Sequence, residues 1–201
     1  MVINHELNYT FISTLKCGTN SMFSILMDRY GGQRVGGFHC RDLRYAPKGS
    51  FTFTVCRNPY FRAVSIWWST CMRGHDRYGF RLACGNGDDF ETFMTWVASQ
   101  VNPTALIQNQ ADWQQGIRFD RILHLENLSK EFASLPFVNE PVVNFPEINT
   151  TLYNRQPAQY HLTPRAIEAI KSWAKPDFEK FGYSVDVPSL VNQENPKAGQ
   201  C

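Results

Sequence analysis

The sequence predicts a single α/β domain with a central, mostly parallel sheet flanked by helices, and three observations carry that expectation. Two stretches, Tyr9 to Met27 and Phe51 to Trp68, each read as strand, tight turn and helix in succession. Such alternation builds parallel sheets with helices on their faces. The third is bulk: 201 residues, 43% hydrophobic and 14% aromatic, suffice for one well-buried core and argue against disorder.

In the first stretch Thr10, Phe11, Ile12, Thr14 and Leu15 read as a buried strand, and Met22, Phe23, Ile25 and Leu26 recur at helical spacing. Gly18 lets the backbone turn between them, while Thr19, Asn20 and Ser21 are residue types whose side-chain oxygens cap helix N-termini. Backbone amides and the positive end of the helix dipole meet there beside Lys16, so the turn is a candidate phosphate or sulfate site. An ordinary junction with a surface lysine fits this stretch equally well. The lysine precedes the glycine, unlike the nucleotide-binding turn of NTPases, which needs two glycines and a lysine after the second.

Gly31-Gly32 ends the first helix, Gln33 to Phe38 are expected to form the second strand, and His39 falls at its end. Residues 40–50 connect to the second stretch, where Phe51 to Cys56 is a strand and Pro59 opens a helix running to about Thr70. Arg57 stands at the carboxyl end of that strand and Ser65 lies further along the helix. Open α/β sheets bind ligands at those strand ends, so Lys16 and Arg57 are expected to face one crevice. An arginine fork with a nearby hydroxyl suits a second phosphate, which implies a ligand with phosphates at both ends.

Residues 71–88 are rich in glycine and charge, with Arg73, His75, Asp76, Arg77 and Arg81 in a loop expected over the crevice. Asp88 or Asp89 caps a helix burying Phe90, Phe93, Met94 and Val97, and Asn102-Pro103 stops it. A polar helix over 105–115, carrying Gln108, Gln110, Asp112, Gln114 and Gln115, reads as a surface that helps hold an acceptor. Phe119 to Leu125 forms a strand, followed by a short helix to about Ser134 and a proline-rich loop from Leu135 to Pro146. Thr163-Pro164 opens the last helix, which buries Ile167, Ile170, Trp173 and Ala174. The domain thus spans residues 1–187, with a polar tail over 188–201.

Taken together, the motifs resemble the sulfotransferases that use 3′-phosphoadenosine 5′-phosphosulfate (PAPS). Lys16-Cys-Gly-Thr-Asn-Ser21 resembles their 5′-phosphosulfate loop, and Arg57-Asn-Pro-Tyr-Phe-Arg-Ala-Val-Ser65 resembles their 3′-phosphate motif at the family's spacing. Arg121 to Leu128 resembles a later strand with its Glu-x-Leu turn. The segment from Asn149 to Tyr183 is similar to the carboxyl end of Golgi-type carbohydrate sulfotransferases. The chain departs from the family pattern at Leu15, where proline is frequent, and at Asn20, where a second threonine is usual.

The resemblance implies a P-loop-like sulfotransferase fold and assigns expected roles. Lys16 would stabilise the oxygen bridging sulfate to the leaving phosphate. The Cys17, Gly18, Thr19, Asn20 and Ser21 turn would hold the 5′-phosphate, with the hydroxyls of Thr19 and Ser21 adding to its amides. Arg57 and Ser65 would take the 3′-phosphate, and Arg155, in the segment that returns over the nucleotide, would reach that phosphate or the substrate. PAPS would be the co-substrate and adenosine 3′,5′-bisphosphate the product, with no metal. The acceptor would be a hydroxylated molecule, foremost a carbohydrate. A histidine or glutamate base is needed; His39 is the first candidate and His75 the second, and His39 reads equally as a structural cap on a strand end. His124, between leucines, reads as structural, Glu126 as the anchor of a turn, and Arg62 as paired against the sheet. One of Trp67 and Trp68 is expected in the core, the other as a platform for adenine or sugar.

Composition narrows the partners. A net charge of +2 does not suggest nucleic acid, although Arg41, Arg44 and Lys48 form a local basic cluster suited to steering an anion. No stretch approaches the ~20 apolar residues of a membrane span, and a first strand near Tyr9 leaves no room for a cleaved signal peptide. A soluble, cytoplasmic protein is expected, without the anchor of Golgi enzymes. The six cysteines lack paired metal spacing; only Cys71 and Cys84 suggest a disulfide. Two other readings stay open: a kinase-like phosphotransferase, disfavoured by the misplaced lysine, and a non-catalytic nucleotide-binding protein of the same fold.

Overall fold

The chain enters its sheet at once. Val2–Asn4 (β1) turns through residues 5–8, where Asn8 takes a left-handed φ of 49°, into Tyr9–Phe11 (β2), and the two strands pair antiparallel with Val2 opposite Phe11. The computed structural model describes residues 1–72, 89–140, 145 and 162–188. The remaining elements are α1 (Thr19–Arg29), β3 (Gln33–Arg34), β4 (Phe51–Cys56), α2 (Pro59–Trp67), α3 (Phe90–Ser99), α4 (Gln110–Trp113), β5 (Arg121–His124), α5 (Leu128–Phe132), α6 (Pro164–Trp173) and α7 (Lys175–Phe181).

The five strands lie in the order β3-β1-β2-β4-β5. β2 with β4 and β4 with β5 are parallel, whereas β1 pairs antiparallel with both β2 and β3. The architecture is therefore α/β with a mixed sheet, evenly divided and not mostly parallel. The difference arises from β1, a three-residue strand preceding the expected first one. The expected second strand is also cut to two residues: Val35 gives its amide to the Met1 carbonyl (3.1 Å), and then Gly36, at φ 63°, turns the chain away. His39 accordingly lies beyond the strand rather than at its end.

Local chemistry sets the helix starts. Asn58 takes the Tyr60 amide (3.0 Å) with Pro59 behind it, Asp89 takes the Thr92 amide (2.8 Å), and Thr163 takes the Ala166 amide (3.2 Å) with Pro164 behind it. At the far end of α1, Gly31 takes φ 59°, and Asn4 and Tyr9 donate to the carbonyls of Leu26, Tyr30 and Gly31. Strands β1 and β2 thus satisfy carbonyls that the helix leaves unpaired.

Strand alternation divides the core. Val2, Tyr9, Phe11, Phe53, Val55 and Leu123 pack one sheet face against Phe23 and Leu26 of α1 and against Leu128, Phe132 and Phe137. A second cluster joins Tyr60 and Val64 of α2 to Phe90, Phe93 and Val97 of α3, to Ile170 and Trp173 of α6, and to Phe178 of α7. Trp67 is the core tryptophan of its pair, and Trp68 packs half-buried against the same cluster. The threonines of β2 and β4 face the other way, and Thr14 meets Thr54 hydroxyl to hydroxyl at 3.1 Å.

Candidate active site

Two turns at the carboxyl ends of the adjacent parallel strands β2 and β4 form the centre of the site. In the first, Lys16 adopts a left-handed φ of 65° and Gly18 one of 74°, with the Cys17 amide bonded to the Thr14 carbonyl (3.3 Å). A left-handed lysine costs on the order of 1–2 kcal/mol, and strain of this kind concentrates where a turn serves a ligand. Gly18 is the N-cap of α1 and offers no side chain; the first helical bond runs from the Met22 amide to the Gly18 carbonyl (3.0 Å). The amides of Thr19, Asn20 and Ser21 therefore precede the helical ladder, and the helix dipole adds positive potential there.

The expectation that Thr19, Asn20 and Ser21 cap this helix is corrected. They are its first three residues, and the Thr19 hydroxyl donates back to the Thr14 carbonyl (3.2 Å), bracing the turn instead of facing an anion. A Cβ on Gly18 would lie 2.7 Å from Cδ1 of Leu125, so a side chain here would displace that methyl, and the left-handed φ is what favours glycine.

The second turn meets the first directly. Nη1 of Arg57 donates to the Lys16 backbone carbonyl at 3.4 Å, so the two turns touch at the carboxyl end of the sheet. Ser65 lies on α2 with 8% of its surface exposed. The helix N-cap Asn58 gives its amide to Glu126 Oε1 (2.7 Å), and the other oxygen of Glu126 accepts from the Tyr183 hydroxyl (2.8 Å), so Glu126 does anchor a turn. His124 is braced by Glu131 and by the Phe181 carbonyl (3.0 Å), a structural setting.

Gln110, expected on a polar surface helix, is buried and joins both turns. Its Oε1 accepts from the Arg57 amide (2.8 Å) and from the Cys17 thiol (3.0 Å), while its Nε2 donates to the Arg57 carbonyl (2.8 Å) and to Asp177 (3.0 Å). The surface-helix expectation fails because Asn109 starts only a single turn, α4, after a turned segment at 104–108. Asp177 is wholly buried and takes the amides of Gln110 (3.0 Å) and Ala111 (2.7 Å) as well. Burial raises its pKa, and neighbouring Arg62 and the donated amides oppose that rise. Arg62, also fully buried, donates to the Leu15 carbonyl (3.1 Å) and the Gln108 carbonyl (3.0 Å). Burial pushes the Cys17 thiol up to about 12, so it stays protonated as a hydrogen-bond donor.

No protein-family model matches the sequence, and neither a curated protein nor a solved structure shows significant similarity to it. Function has to be read from the site.

His39 stands on the opposite flank. Its Nδ1 lies 3.0 Å from the Ser13 hydroxyl, whose own proton goes to the Phe38 carbonyl (2.6 Å). Ser13 can then only accept from the ring, so Nδ1 carries the proton and Nε2 presents its lone pair. Burial lowers the pKa of His39, a hydrogen bond to the Ser13 backbone opposes that, and the amino-terminal and Lys16 ammonium groups act in the same direction as burial. The ring is edge-on to Trp113 at 6.4 Å, and the Arg41 guanidinium covers Trp113 at 4.9 Å. Arg44 instead pairs with Asp42 at the surface.

His75 and the other charges of the 73–88 loop lie outside the described residues, as do Cys84 and, further along the chain, Arg155. No helix among the described residues is long and apolar enough to cross a membrane. Asp177 and Gln110 were missed in the sequence; the only signal was a carboxylate between apolar residues in Lys175–Phe181, and nothing in the chain order links it to Gln110.

Proposed function

We propose that the protein is a PAPS-dependent sulfotransferase that moves a sulfuryl group to a hydroxyl of a carbohydrate or similar small acceptor. One observation carries the reading: the Lys16 turn, opening α1 with amides ahead of the helical ladder, touches Arg57 and is tied to it through Gln110. Two cationic turns in contact at neighbouring strand ends suit a ligand with phosphates on both sides of a nucleoside.

In the reaction the acceptor oxygen attacks sulfur as the bond from sulfur to the 5′-phosphate oxygen breaks, and adenosine 3′,5′-bisphosphate leaves. Nε2 of His39 takes the hydroxyl proton. Lys16 and the amides at the head of α1 stabilise the charge growing on the leaving oxygen, which is where preorganised donors contribute most. Arg57 and Ser65 hold the 3′-phosphate.

Adenosine 3′,5′-bisphosphate is expected to raise the melting temperature where ATP with magnesium does not, since a ligand stabilises only the fold that binds it. Labelled PAPS should then transfer its sulfuryl group to a glycan, and Lys16→Ala should lower kcat by ~100-fold or more while changing nucleotide affinity far less. Stabilisation by ATP alone would point to a phosphotransferase; nucleotide binding without transfer to any glycan, peptide or phenol would point to a binding protein.

A further inference from the structure

The carboxamide of Gln110 has one orientation open to it. Its Oε1 meets two donors, the Arg57 amide (2.8 Å) and the Cys17 thiol (3.0 Å), and its Nε2 meets two acceptors, the Arg57 carbonyl (2.8 Å) and Oδ2 of Asp177 (3.0 Å). Turning it over would set its N–H groups against the Arg57 N–H and its oxygen against both acceptors. A side chain that exchanges an N–H and a C=O bond with one residue pairs with Arg57 as a neighbouring strand would, one residue beyond the end of β4. The Cys17 thiol ties the Lys16 turn to the same group.

Asp177 fixes that orientation from α7. Its Oδ2 takes the main-chain amide of Gln110 (3.0 Å) as well as Nε2, and its Oδ1 takes the Ala111 amide (2.7 Å), so residue 110 is held by backbone and side chain at once. Three N–H groups need acceptors on both oxygens, which a carboxylate offers and a carboxamide does not. In Asp177→Asn the new NH2 would face either the two N–H groups of Gln110 or the amide of Ala111. Asp177 and the nearby Arg62 are both fully buried, and their opposite charges attract. The spacing of the two turns is thus set by a carboxylate that reaches them through Gln110.

We infer that Asp177 is a positioning residue for the nucleotide: by holding the Gln110 carboxamide in one orientation it fixes Arg57 against the Lys16 turn, and so favours a ligand with an anion at each turn over a ligand with one. The inference rests on the reading of the two turns as a two-phosphate site. A preset spacing spares such a ligand the cost of bringing the turns together, whereas a ligand that meets the Lys16 turn alone gains nothing from where Arg57 stands.

The test titrates adenosine 3′,5′-bisphosphate and adenosine 5′-phosphate into the full chain, into Asp177→Asn, and into Gln110→Met, which fills a similar volume, leaves Asp177 its two backbone amides and cuts only the link to the turns. The parent protein is expected to prefer the bisphosphate. Asp177→Asn should weaken the bisphosphate by roughly tenfold and the monophosphate by no more than about twofold, so that the ratio of the two affinities falls, and Gln110→Met should lower the ratio in the same way. A purely structural role would lower the melting temperature and leave the ratio where it was; an unmoved ratio in a folded variant overturns the inference, as does equal affinity of the parent for the two nucleotides. Should Asp177→Asn fail to fold, the ratio in Gln110→Met decides, a fall supporting the inference and no change removing it. If the parent binds neither nucleotide, the sulfotransferase reading falls and takes the inference with it, whereas a parent that prefers the bisphosphate beside variants with an unmoved ratio removes the inference alone.

Discussion

His39 shows how much one side chain's surroundings decide. As a residue type it is ambiguous; with Ser13 fixing the proton on Nδ1 and burial favouring the neutral ring, it is set up to accept a proton on Nε2. A nuclear magnetic resonance titration of the unliganded protein should place its midpoint below the ordinary 6.5. Since the folded-state pKa is depressed, the unfolded chain takes up the proton first as pH falls. Folding therefore loses stability from that ordinary value down through the folded midpoint, with no loss from this group above it. A midpoint at or above the ordinary value would remove the basis for a neutral base. Ser13 could not have been assigned from sequence, because its partner lies across a turn that only the fold closes.

Among the elements, the β2-to-α1 turn depends most on a single position. Gly18 combines φ 74° with a Leu125 methyl that any Cβ would strike at 2.7 Å. Gly18→Ala should lower stability by ~1–2 kcal/mol for the left-handed backbone alone, measured by urea unfolding, and should weaken binding of adenosine 3′,5′-bisphosphate as the amides shift. Unchanged nucleotide affinity in a destabilised variant would separate the turn's geometry from anion binding. Several boundaries followed local signals: α2 starts at Pro59, and Asp89 and Thr163 cap the helices the sequence placed after them. The strands were less legible, since β1 and β3 have three and two residues, too few for alternation to register.

Across the whole molecule, the distance between the two cationic turns is held by a buried polar assembly. Gln110 grips both turns, Asp177 of α7 grips Gln110, and Arg62 of α2 secures the Leu15 and Gln108 carbonyls around them. Elements distant in sequence thereby share one network, in which each member leaves others unsatisfied when removed. Gln110→Ala should cost ~1–3 kcal/mol of unfolding free energy, the penalty of stranding buried polar groups, and should weaken adenosine 3′,5′-bisphosphate binding by loosening Arg57 from the Lys16 turn. Calorimetric titration checks the second effect; a Kd equal to the parent's would show that Gln110 supports the fold without setting the spacing.

The sequence by itself determined what depends on neighbours a few positions apart: the starts of α2, α3 and α6, the apolar faces of α1, α3 and α6, and the two turns in which Lys16 and Arg57 follow a strand. Tertiary structure alone decided that the sheet is mixed, that Gln110 and Asp177 are interior, and that Ser13 and Trp113 meet the ring of His39. Strand direction, burial of a polar residue and the partner of a hydrogen bond are set by chain segments far away in sequence, and no local pattern of residues encodes where those segments arrive.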